Sequence, residues 1–121
     1  MKVLFVCTLN KARSIAAERL YRRTPGVSVR SAGISERAAH PLETADLSWA
    51  DLVIVFEPAH EAWIRRHFSG ELPTITDVGI TDGLGVANPR LLAALREVLT
   101  PILGAPGGTS ADPAPDGPAR R

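Results

Sequence analysis

Two stretches of this chain are apolar at every position, and they constrain the fold most. Residues 3–6 read VLFV and residues 52–56 read LVIVF. A strand with one wet face alternates apolar and polar residues, whereas a strand covered on both faces does not. The two runs therefore predict buried strands of a parallel sheet, over residues 2–6 and 52–56.

Helical and extended signals alternate around these runs. Residues 14–22 contain neither Gly nor Pro, place Ala17, Leu20 and Tyr21 on one face, and stop at Pro25-Gly26, which predicts a helix. Val27 and Val29 alternate with polar neighbours up to Ser31, just before Gly33, and predict a second strand. Pro41 precedes a short helix expected over residues 42–47. Pro58 at a first-turn position opens a helix running to Phe68, ended by Ser69-Gly70. Residues 73–76 form a short fourth strand, and the glycine-bearing segment 77–88 a loop. Asn88-Pro89 combines a cap residue with proline at the first helical position. Leu91, Leu92, Leu95, Val98, Leu99 and Ile102 then keep a 3.6-residue period through the last helix.

This order predicts an α/β fold: a three-layer, doubly wound, four-stranded parallel sheet with helices on both faces. Ligands of such sheets bind beyond the carboxyl ends of the strands. The segments starting at Cys7, Gly33, Glu57 and Asp77 are the ones so placed.

A length of 121 residues fits one domain. Residues 104–121 hold twelve Gly, Pro or Ala and no large apolar side chain, so burial cannot offset their ordering entropy. The expected division is a folded domain over 1–103 and a disordered tail over 104–121. A net charge of +1 argues against a dedicated nucleic-acid binder. A single cysteine excludes an intramolecular disulfide and a cysteine-rich zinc site. No apolar run approaches the roughly 20 residues needed to span a bilayer. The five-residue apolar run near the start is too short for a signal-peptide core. A cytoplasmic protein with no membrane association is expected.

The one cysteine follows the first strand directly, and Arg13 comes six positions later, with Ser14 and a helix after it. A loop wrapping onto a helix N-terminus turns successive peptide N–H groups inward, as an anion-binding nest. Thr8, Leu9, Asn10, Lys11 and Ala12 would supply that loop. Arg13 has a planar fork that can grip two phosphate oxygens. The same field favours the thiolate form of a cysteine at the base of the nest. Ser14 could donate to that thiolate, and Asn10 is the loop residue most tolerant of a left-handed backbone. The competing reading is that Cys7 is only a small buried hydrophobe.

The segment VLFVCTLNKARSIAAE resembles the active-site segment of low-molecular-weight protein tyrosine phosphatases, with Cys-x5-Arg-Ser near the N-terminus. It is still more similar to a small bacterial branch of predicted tyrosine phosphatases with a Cys-x-x-Asn-Lys-x-Arg-Ser loop. Ser31-Ala32-Gly33 and residues 50–57 (ADLVIVFE) resemble two further family segments, so the match covers about residues 2–103. The resemblance implies the low-molecular-weight phosphatase fold and metal-free, cofactor-free hydrolysis in two steps. Cys7 would attack phosphorus and form a phosphocysteine, an aspartic acid would protonate the leaving oxygen, and water would then release phosphate. Substrates would be a phosphorylated protein, on phosphotyrosine, or a small phosphomonoester, and the protein a monomer.

The sequence departs from the family in three places. It lacks the Asp-Pro-Tyr tripeptide that carries the family's acid. Asp82 lies nearer the expected position, Asp77 is the alternative, and both could simply fill turn positions beside Gly79 and Gly83. Ala12 stands where better-known members have a second cysteine, so Cys7 has no partner thiol. Segments 34–48 and 77–88 contain no aromatic residue; Trp49 adjoins the first and is a candidate pocket wall, while Trp63 is expected in the core. His40, His60 and His67 show neither metal-ligand spacing nor a clear carboxylate partner and are expected in surface or helix-capping roles.

Three other functions compete. Arsenate reductases of the thioredoxin-coupled kind share the loop but relay through two more cysteines; only a version using an external thiol fits this chain. Sugar-phosphotransferase B components carry a phosphorylated cysteine but lack the loop arginine. A degenerate phosphatase that binds phosphate esters without turnover is the non-enzymatic alternative.

Overall fold

The structure, a computed structural model, describes residues 1–107. Its elements alternate along the chain: β1 (Lys2–Cys7), α1 (Arg13–Tyr21), β2 (Ser28–Gly33), α2 (Thr44–Trp49), β3 (Leu52–Val55), α3 (Pro58–His67), β4 (Thr74–Asp77) and α4 (Pro89–Leu103). All strand pairs are parallel, in the order β2-β1-β3-β4. The expected α/β fold, with four parallel strands between helical layers, is what forms.

Both faces of the central strands are covered, which explains their unbroken apolar runs. Val3, Phe5 and Cys7 of β1 and Ile54 of β3 pack with Ala16, Ala17, Tyr21, Leu91, Leu95 and Leu99, the inner faces of α1 and α4. Leu4, Val6, Val53 and Val55 point the other way, against Leu42, Leu47 of α2 and Ile64 of α3. Alternate residues of one strand thus feed two separate cores.

Element boundaries shift by a residue or two from those expected. β1 and β2 run on to Cys7 and Gly33 because these two residues are partners in the parallel ladder. The short second helix starts at Thr44, not Leu42. Pro41 bridges to Gly33, and the Leu42 N–H donates to the Gly33 carbonyl, so both are held extended. Glu43 then caps the helix reciprocally with Asp46, whose carboxylate accepts the Glu43 N–H at 2.9 Å.

The first four residues of the expected tail lie within the described part. The Tyr21 hydroxyl donates to the Gly104 carbonyl at 2.7 Å, and the Gly107 N–H to Thr24 Oγ1 at 2.8 Å. The rest of that tail, residues 108–121, lies outside the described residues. No helix among the described residues is long and apolar enough to cross a membrane.

The chain leaves β1 for β2 on one side and returns to β3 on the other. The carboxyl ends of β1 and β3 therefore flank the point where the winding direction reverses, where open α/β sheets place their ligands.

Candidate active site

Cys7 ends β1 at that reversal point, and residues 8–12 loop from it onto the N-terminus of α1. The loop is held from outside by the segment after β2. The N–H groups of Ile34, Ser35 and Ala39 donate to the carbonyls of Cys7, Thr8 and Leu9 at 2.9–3.2 Å. With its carbonyls tied outward, the loop turns its N–H groups the other way. From Thr8 to Arg13 these donate to no protein acceptor among the described residues. Ala12 at the N-cap offers no side-chain acceptor, so the first turn of α1 is also open.

Asn10 makes the turn feasible. Its φ of 55° is the only positive value at a non-glycine residue among those described, and its side chain is buried. The Asn10 amide donates to Ser14 Oγ at 2.8 Å, and Ser14 Oγ lies 2.9 Å from Cys7 Sγ. Because Ser14 already accepts from Asn10, its own hydrogen is free to point at the sulfur. Asn10, Ser14 and Cys7 thus form one buried relay.

Gly33 presses on the same loop. A Cβ there would lie 2.6 Å from both the Thr8 carbonyl oxygen and Ala38 Cβ, and 3.0 Å from Asn10 N. Gly33→Ala must therefore push the loop. It is expected to destabilise by about 1–3 kcal/mol and to cut any turnover at the site by about a hundredfold. Gly85→Ala, which meets open space, is expected to change neither. Steady-state rates and denaturant midpoints for the two variants check this.

Arg13 is 3% exposed and held from one side of its fork. One of its terminal nitrogens, Nη1, bonds Glu57 Oε2 at 2.5 Å and donates to the Ile80 carbonyl at 2.9 Å. Its Nε lies 3.9 Å from Asp82 Oδ1. Its guanidinium also sits 6.0 Å from the centroid of the Phe56 ring. These contacts fix the fork rather than leaving it to search. Cys7, Thr8, Leu9, Lys11, Ala12, Arg13 and Asp82 line one open cleft of about 190 Å³. A larger hollow between α2 and α3, about 330 Å³ and lined by Thr44, Leu47 and Phe68 among others, contains no cysteine or arginine.

The two candidate acids separate clearly. Asp82 lines the cleft, with its side chain 72% exposed. Asp77, at the end of β4, accepts the Gly79 N–H at 2.9 Å and so shapes the turn. Asp77 is not among the residues lining the cleft.

Three readings of the sequence change, and a fourth is refined. His60 is not at the surface: it is 1% exposed, with Nδ1 accepting the Phe56 N–H at 3.2 Å and Nε2 3.1 Å from Thr8 Oγ1. It does act at the start of α3, but from inside. His40 has a carboxylate partner after all, Asp46, at 3.1 Å. Trp49 is no pocket wall: it is the last residue of α2, at the opposite end of the sheet, where Arg30 stacks 4.3 Å over its ring. Trp63 packs against the core as expected but at its rim, half-buried, stacked on His67 and edge-on to Phe68. Glu57 was placed at the ligand-binding edge by sequence but was given no role, and it is the main partner of Arg13. Among the described residues, no three His, Cys, Asp or Glu gather as a metal site.

Burial, then the nearby Arg13 charge, hold the His60 pKa below its ordinary 6.5, against the opposing pull of Glu57, Asp77 and Asp82. The unfolded chain therefore takes up this proton before the folded one. The stability that neutral His60 confers is complete above about pH 6.5 and is lost as pH falls towards the folded value. The denaturant midpoint is expected to fall on acidification more steeply in the wild type than in His60→Asn.

A scan against models of known protein families gives no match. Low molecular weight protein-tyrosine-phosphatase Etp of Escherichia coli K12 is 39% identical over 71 residues, 58% of this chain and 46% of that protein. The chain thus matches about half the length of its curated relatives. Among solved structures, YwlE arginine phosphatase from Geobacillus stearothermophilus superposes with a TM-score of 0.61 at 26% identity, over 82% of this chain and 86% of that one. The low molecular weight protein tyrosine phosphatase from T. tengcongensis, at 22% identity, shares the fold with a TM-score of 0.65, over 81% and 92% of the two chains. Over 71 residues the chain is thus similar in sequence to a low-molecular-weight protein tyrosine phosphatase, and its architecture is the fold of that family.

Proposed function

We propose that this protein is a cysteine-dependent phosphomonoester hydrolase that works through a phosphocysteine on Cys7. One observation carries the reading: Cys7 Sγ, held 2.9 Å from Ser14 Oγ, lies in a cleft with unpartnered peptide N–H groups and a fixed Arg13. A phosphate in that cleft would place its oxygens on the N–H groups and Arg13. These donors stabilise the equatorial oxygens as charge redistributes in the transition state.

In the first step the Cys7 thiolate attacks phosphorus, and the bond to the leaving oxygen breaks on the opposite side. The leaving oxygen takes the bond's electron pair and a proton from the Asp82 carboxyl group. In the second step a water gives its proton to the Asp82 carboxylate and its oxygen to phosphorus. The phosphorus–sulfur bond breaks, returning the thiolate and releasing inorganic phosphate. Ser14 donates to sulfur when it carries negative charge, at the start and at the end.

The substrate reading stops at the phosphomonoester class. Among the described residues no aromatic side chain lines the cleft, so none of them places a ring to grip a phenol. A phosphorylated protein and a small phosphate ester both fit that class.

The acid is tested by leaving group. Asp82→Ala is expected to slow an alkyl phosphate by about a hundredfold or more, and p-nitrophenyl phosphate far less, because p-nitrophenolate leaves without a proton. Asp77→Ala is expected to affect both substrates alike. Equal effects of Asp82→Ala on the two substrates would refute the assignment. A folded wild type that binds inorganic phosphate but turns over no p-nitrophenyl phosphate would refute hydrolysis. It would favour the phosphate-ester-binding module or an arsenate reductase using an external thiol.

A further inference from the structure

The first turn of α3 grips the phosphate loop at both ends. Glu57, its N-cap, binds Arg13 at the end of the loop. His60, three residues on, meets Thr8 at the beginning. A buried imidazole needs partners for both nitrogens. Here Nδ1 accepts the Phe56 N–H, so the neutral ring carries its hydrogen on Nε2, and Nε2–H donates to Thr8 Oγ1. This tautomer follows from the backbone donor, which has no alternative role to play.

We propose that His60 is a positioning residue for the reaction, holding Thr8 so that the peptide N–H groups after Cys7 face the bound phosphate. The inference rests on the phosphatase reading above. Thr8 is the residue immediately after the nucleophile. Its carbonyl is held by the Ser35 N–H at 3.0 Å and its hydroxyl by His60 at 3.1 Å. A residue tied through both carbonyl and side chain has little freedom left to rotate its own N–H. His60 touches no reacting atom and acts only through Thr8.

The arrangement also links the loop to protonation. A hydrogen added at Nδ1 would face the Phe56 N–H, and two donors would oppose each other across 3.2 Å. The groups facing His60 pull in both directions: Arg13 from the end of the loop favours the neutral ring. Glu57 on its own helix, and Asp77 and Asp82 from the segment at and beyond the end of β4, favour the charged one. Burial tips the balance to neutral. Acidification should therefore loosen the hold on Thr8.

A double-mutant cycle tests this, with His60→Asn and Thr8→Val. Asparagine can still accept the Phe56 N–H but lacks the reach to Thr8; valine keeps the shape of threonine without its hydroxyl. The readouts are kcat and KM for p-nitrophenyl phosphate and the Kd for inorganic phosphate. Each single variant is expected to lose about tenfold in kcat, with a smaller change in KM, and the double variant no more than either. Thr8→Ser, which keeps the hydroxyl, is expected to lose less kcat than Thr8→Val. On acidification kcat is expected to fall in the wild type and in Thr8→Ser more steeply than in Thr8→Val.

Losses that multiply in the double variant would overturn the proposal, as would a Thr8→Val protein with wild-type kcat and pH profile. If His60→Asn does not fold, the comparison of Thr8→Val with Thr8→Ser decides alone. If the wild type turns over nothing, the phosphatase reading fails, yet the cycle is still read on the phosphate Kd. Equal, non-multiplying losses of phosphate affinity would uphold the positioning role, and independent losses would overturn it.

Discussion

Cys7→Ser is expected to lose metal-free turnover of p-nitrophenyl phosphate by on the order of ten-thousandfold or more, while still binding inorganic phosphate. The prediction follows from what surrounds the sulfur. Its near polar neighbour is Ser14 Oγ at 2.9 Å, itself held by the Asn10 amide at 2.8 Å. Ser14 can donate to that position and the Asn10 amide donates to Ser14, and neither is a base. A thiolate can attack directly, but a serine hydroxyl would need a partner to take its proton. The proposed phosphate site, made of peptide N–H groups and Arg13, does not depend on the sulfur. Inorganic phosphate binding, followed by calorimetry, separates the two effects. Lost turnover with retained affinity is the expected pair of results.

Arg13→Lys is expected to cost about a hundredfold to a thousandfold in kcat/KM, although it keeps the charge. A guanidinium offers five donors in a fixed plane, and this one already spends some on Glu57 and on the Ile80 carbonyl. The remainder are available to an oxyanion. A lysine ammonium is a point donor on a flexible stem and cannot hold Glu57, Ile80 and two phosphate oxygens at once. Glu57→Gln is the gentler companion. It leaves the fork in place but weakens what aims it, so about a tenfold loss is expected. The order of severity, Arg13→Lys beyond Glu57→Gln, is read from steady-state kinetics. The reverse order would mean that Arg13 serves Glu57 rather than the substrate.

The loop from Cys7 to Ser14 was legible because it is contiguous. Strand, Cys7, five residues, Arg13, Ser14 and helix occupy one stretch of sequence, and local geometry alone brings them together. The two central strands were equally clear, since burial on both faces leaves its mark at every position. The supporting contacts were hidden because they join distant segments. Thr8 and His60 are 52 residues apart, and Arg13 and Glu57 are 44 apart. Nothing in a lone histidine or glutamate reports such a partner. A signal existed for Glu57: Pro58 starts a helix directly after a buried strand, which puts Glu57 at the ligand edge of the sheet. His60, one helical turn inside, had none. The His40–Asp46 contact spans only six residues, but it depends on Pro41 bridging to Gly33, a pairing that sequence pattern does not announce. Trp49 misled because adjacency in sequence was read as adjacency in space. The short helix between them carries the ring to the far end of the sheet.

The central claim is a covalent phosphocysteine, and one measurement reaches it directly. Asp82→Ala is mixed with p-nitrophenyl phosphate, quenched rapidly in denaturant without acid, digested and examined by mass spectrometry. Loss of the base should slow the second step more than the first for this leaving group, so the intermediate accumulates. The account predicts a phosphate adduct on the peptide containing Cys7, absent from Cys7→Ser and cleared when the quench is delayed past substrate exhaustion. Turnover with no adduct on Cys7, or an adduct on another residue, would contradict it.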